Sequence, residues 1–294
     1  MLTNYELRQR MRKVIRPNLQ VLLVIALIAS LPGLLVSVVT TLTGTDVLNW
    51  LYAQGIDNAI MNERLMEEMQ AFLLERGWVS AALSIVQALV TPVLILGLIN
   101  AVLTLLRGGT AVVATAFSRL NVFLRSVGVS LWVSFRIFLW ELPGLALYLA
   151  AAVLAVMSEN FSILFLLMTV ASVLVMVLTI RAAYRYALSL LFLADDPETG
   201  VFECVRKSSA VMKGRILQLL SLELPYMLGG GLIGSLIAAL LGGVIGNTLS
   251  MMVQLIFTVF YYGARCVFYE AYARPEGGRA HAFQSDPFHN EMTD

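Results

Sequence analysis

Six charged residues lie inside stretches of sequence that are otherwise almost entirely apolar. They are Arg136, Glu141, Arg181, Arg185, Glu223 and Arg265. A buried carboxylate can take up a proton or pair with an arginine, and a guanidinium can bind a carboxylate or a phosphate. An ionised side chain at the centre of a bilayer costs at least about 2.5–3.5 kcal/mol, so these groups should face the protein interior. The set predicts either structural ion pairs or a site for an anion such as a lipid headgroup or phosphate.

Two of the acids stand two residues before a proline. The pairs are Glu141–Pro143 and Glu223–Pro225, and the same Leu-Pro step recurs without an acid at Pro32. A proline inside a helix removes a backbone donor and leaves a carbonyl without its usual partner. We therefore predict helix kinks at these three prolines. Each nearby glutamate would accept a proton or an arginine partner at the kink.

The expected partner of Glu223 is Arg181 or Arg185. Glu223 is eight residues past Arg215, or about 12 Å along a helix, and Arg185 is ten residues before Asp195, or about 15 Å. These depths are compatible with contact. Simple anchoring of Arg181 and Arg185 at the headgroup boundary is the competing interpretation.

The charged residues belong to segments long enough to cross the hydrocarbon core of a bilayer, which is about 30 Å thick. Of the 294 residues, 59% are apolar and 13% are charged, whereas soluble domains carry about 25% charged residues. The sequence predicts an all-α, polytopic membrane protein of six transmembrane helices. Their expected positions are 19–42, 80–105, 128–156, 160–183, 215–245 and 248–272.

Basic residues are concentrated in alternate connections. They occur in residues 1–18, 106–127 and 194–215 and at the start of the tail, whereas 43–79 is mainly acidic. Lys and Arg favour the cytoplasmic side, so both termini are expected to be cytoplasmic and 43–79 to be an outer loop. Within that loop, apolar residues at helical spacing predict a short amphipathic helix. These residues are Met61, Leu65, Met69, Phe72 and Leu73.

The chain reads as one membrane domain, 1–274, made of three similar units at about 1–105, 106–193 and 194–274. Each unit begins with a basic amphipathic segment, which is expected to form an interfacial helix before a hairpin of two spans. The three segments read "NYELRQRMRKVI", "TAFSRLNVFLRS" and "PETGVFECVRKSSAVMKG". In the third, Asp196 is expected to cap the helix. The polar residues 275–294 are expected to be a mobile cytoplasmic tail.

Small residues recur at every fourth position of the fifth span. They are Gly230, Gly234, Ala238, Gly242 and Gly246. Such a stripe lets another helix approach closely, so it predicts a helix-packing face. The partner helix can belong to the same chain or to a second protomer.

The stretch "YRYALSLLFLADDPETGVFECVRKSSAVMKG" resembles an uncharacterised bacterial integral membrane family, domain of unknown function 975. The matching elements are Tyr184-Arg185-Tyr186, Ala194-Asp195-Asp196-Pro197, Arg206-Lys207-Ser208 and Met212-Lys213-Gly214. The ends "ELRQRMRKVI" and "VFYEAYA" are also similar to those of the family. The resemblance implies a bacterial inner-membrane protein and carries no activity.

No catalytic or metal-binding motif occurs in the sequence. It contains no H-E-x-x-H, no G-x-S-x-G, no phosphate-cradling glycine loop and no Cys/His cluster. We therefore expect a non-enzymatic protein without cofactor or metal that binds no nucleic acid. Its expected partner is membrane lipid, with anionic lipid as the candidate, or a partner membrane protein or second copy, in a scaffold or accessory role. The alternative is a small-solute or lipid transporter or channel that uses the intramembrane Glu and Arg residues.

Overall fold

The computed structural model describes residues 3–42, 63–157, 161–241 and 243–274. Within these ranges the regular structure is entirely helical, with no strand. The predicted tail 275–294 lies outside the described residues, as do Gly242 and positions 43–62 of the predicted outer loop. The helices are α1 (Asn4–Ile15), α2 (Leu19–Leu42), α3 (Glu63–Leu106), α4 (Phe123–Met157), α5 (Phe161–Arg185), α6 (Ser189–Asp195), α7 (Val201–Val211), α8 (Ile216–Leu241) and α9 (Gly243–Tyr272).

Six segments are long and apolar enough to cross a membrane, as predicted, and they correspond to α2, α3, α4, α5, α8 and α9. This is the organisation of a multi-pass membrane protein. Pro32, Pro143 and Pro225 each lie within a continuous helix, and so does Pro92 of α3. The loss of one backbone donor therefore ends none of these helices.

The second span begins earlier than its apolar composition predicts. Helix α3 runs without a break from Glu63 to Leu106. The sequence predicts a separate amphipathic helix in the outer loop. In the structure this stretch, from Glu63 onward, is instead the first part of the spanning helix α3. Met61, the first residue of that predicted helix, lies outside the described residues.

The three amphipathic segments differ in structure. The first is helix α1, which Thr3 begins with a capping box shared with Glu6. The third is α7. The second contains only two short 3-10 turns, Val113–Phe117 and Leu120–Val122, before α4 begins. The prediction of an α-helix there is wrong, because turn residues interrupt the segment and its remaining apolar positions extend α4.

The long helices pack mainly in sequential pairs, α2 with α3, α4 with α5, and α8 with α9. Helix α1 crosses the last pair and buries Leu7, Met11 and Ile15 completely. Gly263 of α9 makes this approach possible, because a Cβ at that position would lie 2.2 Å from Cδ1 of Ile15. The N-terminal helix is thus fixed to the last hairpin of the chain.

The buried core lies at one end of the bundle. This end comprises α1, α6, α7, the last turns of α3 and α9 and the first turns of α8, and we call it the basic end. Fully buried residues there include Leu103, Leu188, Leu193 and Phe268. In the apolar windows of the spans, 61% of α3 is buried but only 11% of the fourth. Helix α3 is therefore central, and α2, α4, α5 and α8 present most of their surface outward.

Candidate functional site

Among the described residues the most deeply buried charge is Glu223 of α8, which forms an ion pair with Arg265 of α9. Nε of Arg265 donates to Oε1 of Glu223 at 2.8 Å, and a second guanidinium nitrogen lies 3.4 Å from Oε2. The side chain of Glu223 is 0% exposed and that of Arg265 is 18% exposed. Arg265 also donates to the hydroxyl of Tyr261 and lies over its ring. The inward position matches the prediction, but the partner is Arg265 rather than Arg181 or Arg185.

The other four predicted candidates lie on the α4–α5 hairpin. The guanidinium carbons of Arg181 and Arg185 are each 5.9 Å from the ring centroid of Trp140. Arg136 lies over Trp132 at 5.2 Å. Each of these arginines therefore contacts an aromatic face, which is a favourable position for a cation.

Glu141 has a different environment from Glu223. Its Oε1 accepts a hydrogen bond of 2.8 Å from the Thr179 hydroxyl on α5. No arginine of the described residues forms an ion pair with it. These contacts of the six candidates thus fall into two groups, one in the α4–α5 hairpin and one in the α8–α9 hairpin.

The stripe of small residues on α8 faces α9 of the same chain. A Cβ at Gly230 would meet Cβ of Phe257 at 2.9 Å, and one at Gly234 would meet Oγ of Ser250 at the same distance. Gly246 belongs to α9 rather than α8, and a Cβ there would lie 3.1 Å from the carbonyl oxygen of Ala238, so these two members of the predicted stripe face each other across the hairpin. The stripe is therefore occupied within the chain. Its member Gly242 lies outside the described residues.

Pro225 supplies an acceptor for the N-terminal helix. Because proline has no N–H, the carbonyl of Ser221, four residues earlier, has no intrahelical donor. Arg8 of α1 donates to this carbonyl at 2.6 Å, and Asn4 donates to the Ser221 hydroxyl at 2.6 Å. Pro225 removes a backbone donor from the span, and the carbonyl that it leaves free is where α1 docks on α8.

A second group of charges, which the sequence pattern did not reveal, joins three helices at the basic end. Arg107, just after α3, lies 2.6 Å from Oδ1 of Asp195 and 2.7 Å from Oε1 of Glu270. Tyr269 donates to Asp195 at 3.0 Å, and Arg274 pairs with Glu270 at 3.0 Å. Partial burial opposes the charge of Arg107, but the two carboxylates outweigh this effect and raise its pKa. The only sequence signal was that all three charges occur at span ends.

The motifs near residues 184–214 meet at the joint between α5 and α6. Helix α5 ends at Arg185, and the buried hydroxyl of Ser208 on α7 donates to the Arg185 carbonyl at 3.1 Å. The same hydroxyl accepts from the N–H of Leu188 at 3.2 Å, and Arg185 donates through Nε to the Ser209 hydroxyl at 2.8 Å. Ser208 thereby satisfies backbone groups that the interruption of the helix leaves unpaired, and Ser209 binds the Arg185 side chain.

Asp196 stabilises the turn after α6 rather than the first turn of α7. Its carboxylate accepts from the Thr199 hydroxyl at 2.7 Å and from the N–H of Glu198 at 3.1 Å. The Thr199 bond, together with the backbone bond, lowers the pKa of Asp196. The residue before α7 is Gly200, which makes no side-chain cap. The prediction that Asp196 caps α7 is therefore wrong, because Asp196 binds within the turn that precedes this helix.

Residues 1–274 match the family described as "Protein of unknown function (DUF975)". The chain belongs to DUF975. The match covers every helix of the structure and ends where the described residues end. No curated protein and no solved structure matches the chain.

The DUF975 chain has a cavity of about 250 Å³ between α1, α8 and α9. Its lining residues are Arg12, Arg16, Tyr226, Ile256, Phe257 and Phe260. A second cavity of about 330 Å³ lies between α6, α7 and α9, where Asp195, Asp196 and Lys207 already have partners in the protein. No acidic side chain of the described residues forms an ion pair with Arg12 or Arg16. The first cavity therefore joins two arginines without acidic partners to an apolar wall.

The described part of this DUF975 chain contains no group of three His, Cys, Asp or Glu side chains that could hold a metal ion. Cys204 and Cys266 are both buried free thiols. Burial raises the pKa of the Cys204 thiol to about 11, so this thiol is protonated at neutral pH. Cys204 is a packing residue of α7 in this environment.

Proposed function

We propose that this DUF975 protein is a non-enzymatic, multi-pass protein of the bacterial inner membrane that binds anionic lipid as a scaffold or accessory factor. Both termini are cytoplasmic, so the basic end faces the cytoplasmic headgroup layer. Its three hairpin units are related as repeats, and each is preceded by a basic amphipathic segment at the membrane interface.

The observation that carries this proposal is a difference in charge pairing between the interior of the last hairpin and the junction of α1 and α2. Glu223 and Arg265 neutralise each other inside the last hairpin. Arg12 and Arg16, by contrast, are exposed at the junction of α1 and α2 and have no acidic partner among the described residues. Basic groups beside the first residue of a span attract anionic headgroups, at about 1 kcal/mol for each Lys or Arg near the surface.

Transport receives less support from the same contacts. Glu141 and Glu223 lie in different hairpins and bind different partners, Thr179 and Arg265. A transport path built on these acids would need them to share a cavity. The two cavities described above are lined by neither.

Lipid binding is tested by measuring what stays with the purified protein. The full chain is extracted in a mild detergent, and the retained phosphatidylglycerol and phosphatidylethanolamine are quantified. We expect phosphatidylglycerol to be enriched over its share of the membrane, and the enrichment to decrease as salt rises, because salt screens exposed charges. Retention in proportion to membrane composition, unchanged by salt, would contradict the proposal.

A further inference from the structure

The cavity between α1, α8 and α9 has two chemically distinct sides. Arg12 and Arg16 are four residues apart and both line it, so their guanidinium groups contribute to one local field. Ile256, Phe257 and Phe260 of α9 form the other side. A site with this division suits a molecule that carries an anion at one end and hydrocarbon at the other.

The apolar side is held in place by the helix packing beneath it. Phe257 rests against the small residues of α8, since a Cβ at Gly229 would meet its Cε1 at 2.6 Å. Phe260 stacks on Tyr226, with ring centroids 5.8 Å apart and planes 14° from parallel. The wall is therefore formed before any ligand enters, which lowers the entropic cost of binding.

Tyr226 lines the cavity and also carries a polar group without a partner in the described part of the chain. The residue is 8% exposed, and its hydroxyl oxygen is buried without a hydrogen-bond partner among the described residues. A buried polar group without a partner is destabilising, typically by about 1–3 kcal/mol in mutational data. A ligand oxygen could satisfy this hydroxyl, and the ring that carries it lines the same cavity as the two arginines.

The chemistry and size of the cavity identify the class of ligand. The planar guanidinium fork matches the oxygens of a phosphate. The pocket of about 250 Å³ is open on one side, so a phosphate-containing headgroup can enter it. The acyl chains would lie outside, where Leu249 and Met252 continue the face of Ile256 along α9 and are all exposed.

The geometry points to a discrete site for one anionic phospholipid, whose phosphate is bound by Arg12 and Arg16 and whose acyl chain lies on the Ile256–Phe257–Phe260 wall. This inference rests on the proposed function and deepens it. The proposed function requires only that anionic lipid bind the basic end. The site requires that one lipid bind at these residues.

The test titrates phosphatidylglycerol into the delipidated full-length protein and counts bound lipids by native mass spectrometry. We expect one tight-binding event in the wild type. The double variant Arg12→Gln/Arg16→Gln should weaken that event by about tenfold or more, since each lost contact is a hydrogen bond from a charged donor. Phosphatidylcholine with the same acyl chains should bind more weakly, because it lacks net negative charge.

The matched control removes the same two charges elsewhere on the basic end. Arg206→Gln/Lys213→Gln changes two exposed side chains outside the cavity. This variant should retain the tight event within about twofold. Equal weakening in both double variants would mean that lipid responds to overall charge, which would overturn the site while the proposed function stands.

Tyr226→Phe supplies an independent readout. We expect this variant to unfold at a higher temperature without lipid, because the unsatisfied hydroxyl is gone, and to bind phosphatidylglycerol several-fold more weakly. Higher stability with unchanged binding would overturn the role of Tyr226 and, with it, the placement of the phosphate.

Two further outcomes separate the lipid from other sources of phosphate and from failure of the function. If inorganic phosphate alone stabilises the wild type as much as phosphatidylglycerol does, the ligand is a soluble anion and the lipid site is wrong. If the wild type retains no phosphatidylglycerol in any membrane, the proposed function fails as well, and all the variants will behave alike.

Discussion

Glu223 occupies a position where an unpaired carboxylate would be untenable. It is fully buried, and the fork of Arg265 compensates its charge. A buried ion pair is weak evidence for net stability, because desolvation offsets much of the attraction, but the loss of one partner leaves the other charge unpaired. The pair is therefore tested by comparing single and double substitutions.

We predict that Glu223→Gln and Arg265→Gln each lower the free energy of unfolding by about 3–5 kcal/mol, and that the double variant loses far less than the sum. Thermal unfolding in detergent measures all three. The control pairs Glu223→Gln with Arg181→Gln, whose side chain contacts Trp140 instead, and these two losses should add. Additive losses for Glu223 and Arg265 would contradict the ion pair.

Ser208 is a second residue whose effect should exceed its size. Its hydroxyl is fully buried and bonds both sides of the interruption between α5 and α6. Ser208→Ala should cost about 1–3 kcal/mol, because the N–H of Leu188 would lose its partner. Ser235→Ala, which removes an exposed hydroxyl bonded only to its own helix, should be nearly neutral. Equal effects in urea-induced unfolding would mean that the joint does not depend on Ser208.

At the scale of elements, proline and glycine on α8 have complementary roles. Pro225 frees the Ser221 carbonyl that receives Arg8, and the glycines let α9 come close. One face of α8 thus binds α9 and one carbonyl binds α1. This makes α8 the element on which the N-terminal and C-terminal parts of the chain meet.

The role of Pro225 leads to a prediction about coupling. Arg8→Gln should destabilise the protein by about 1.5–3 kcal/mol, the range for hydrogen bonds to charged groups. In a Pro225→Ala background the restored N–H can bond the Ser221 carbonyl, so Arg8→Gln should cost clearly less. A double-mutant cycle by thermal unfolding measures the difference. An unchanged cost in both backgrounds would show that the proline does not supply the docking acceptor.

The glycine face of α8 permits a matched pair of substitutions. Gly234→Leu should destabilise the α8–α9 hairpin by about 1–3 kcal/mol or more, since Ser250 and Gln254 occupy the space that the new side chain needs. Gly231→Leu, three residues earlier, enters open space on the outer face. It should be neutral in thermal unfolding. A larger loss at Gly231 would mean that the outer face, rather than the α9 face, is packed.

At the scale of the whole molecule, the two native cysteines allow the orientation to be measured with little background. Both are 0% exposed, and the raised pKa of Cys204 keeps its thiol protonated well above neutral pH. Because the thiolate is the reactive form, a maleimide should label the unmodified protein slowly. The labelling rate of Cys204 should increase as the pH approaches about 11, the pKa of its thiol. Labelling also requires local opening of the fold, because the thiol is buried.

We predict that Gln70→Cys is labelled by a membrane-impermeant maleimide on intact cells and that Asn121→Cys is labelled only after permeabilisation. Both positions are exposed in the structure. They lie in the predicted outer and cytoplasmic parts of the chain. The opposite pattern would reverse the proposed orientation and move the Arg12 cavity to the outer leaflet.

The sequence determined the number of spans because each is an apolar run of the required length, and local composition suffices for that inference. The inward position of Glu223 also followed from the free-energy cost of exposing an ionised carboxylate to the bilayer core. Its partner could have been found, since α8 and α9 form an antiparallel hairpin. Glu223 and Arg265 lie about 28 and 34 Å from its apex at 1.5 Å per residue. Depth along a span is also compatible with Arg181 or Arg185, because depth does not show which helices are neighbours.

The remaining features depend on which helices are neighbours, and no local pattern contains that information. The Arg107–Asp195–Glu270 cluster joins positions that are far apart in the chain. The N-terminal cavity needs α1 to cross α9 at Gly263. The second amphipathic segment failed as a helix for a related reason, because spacing of apolar residues describes a face and does not set where a helix begins.

The docking of α1 has a consequence for biosynthesis. Arg8 bonds to Ser221, 213 residues later in the chain, and Leu7, Met11 and Ile15 are buried against helices that are synthesised after α1. Until the α8–α9 hairpin has been inserted, α1 lacks the surface on which it packs. Docking of α1 therefore follows insertion of this hairpin, and a product without the hairpin would leave the apolar face of α1 accessible to chaperones and proteases.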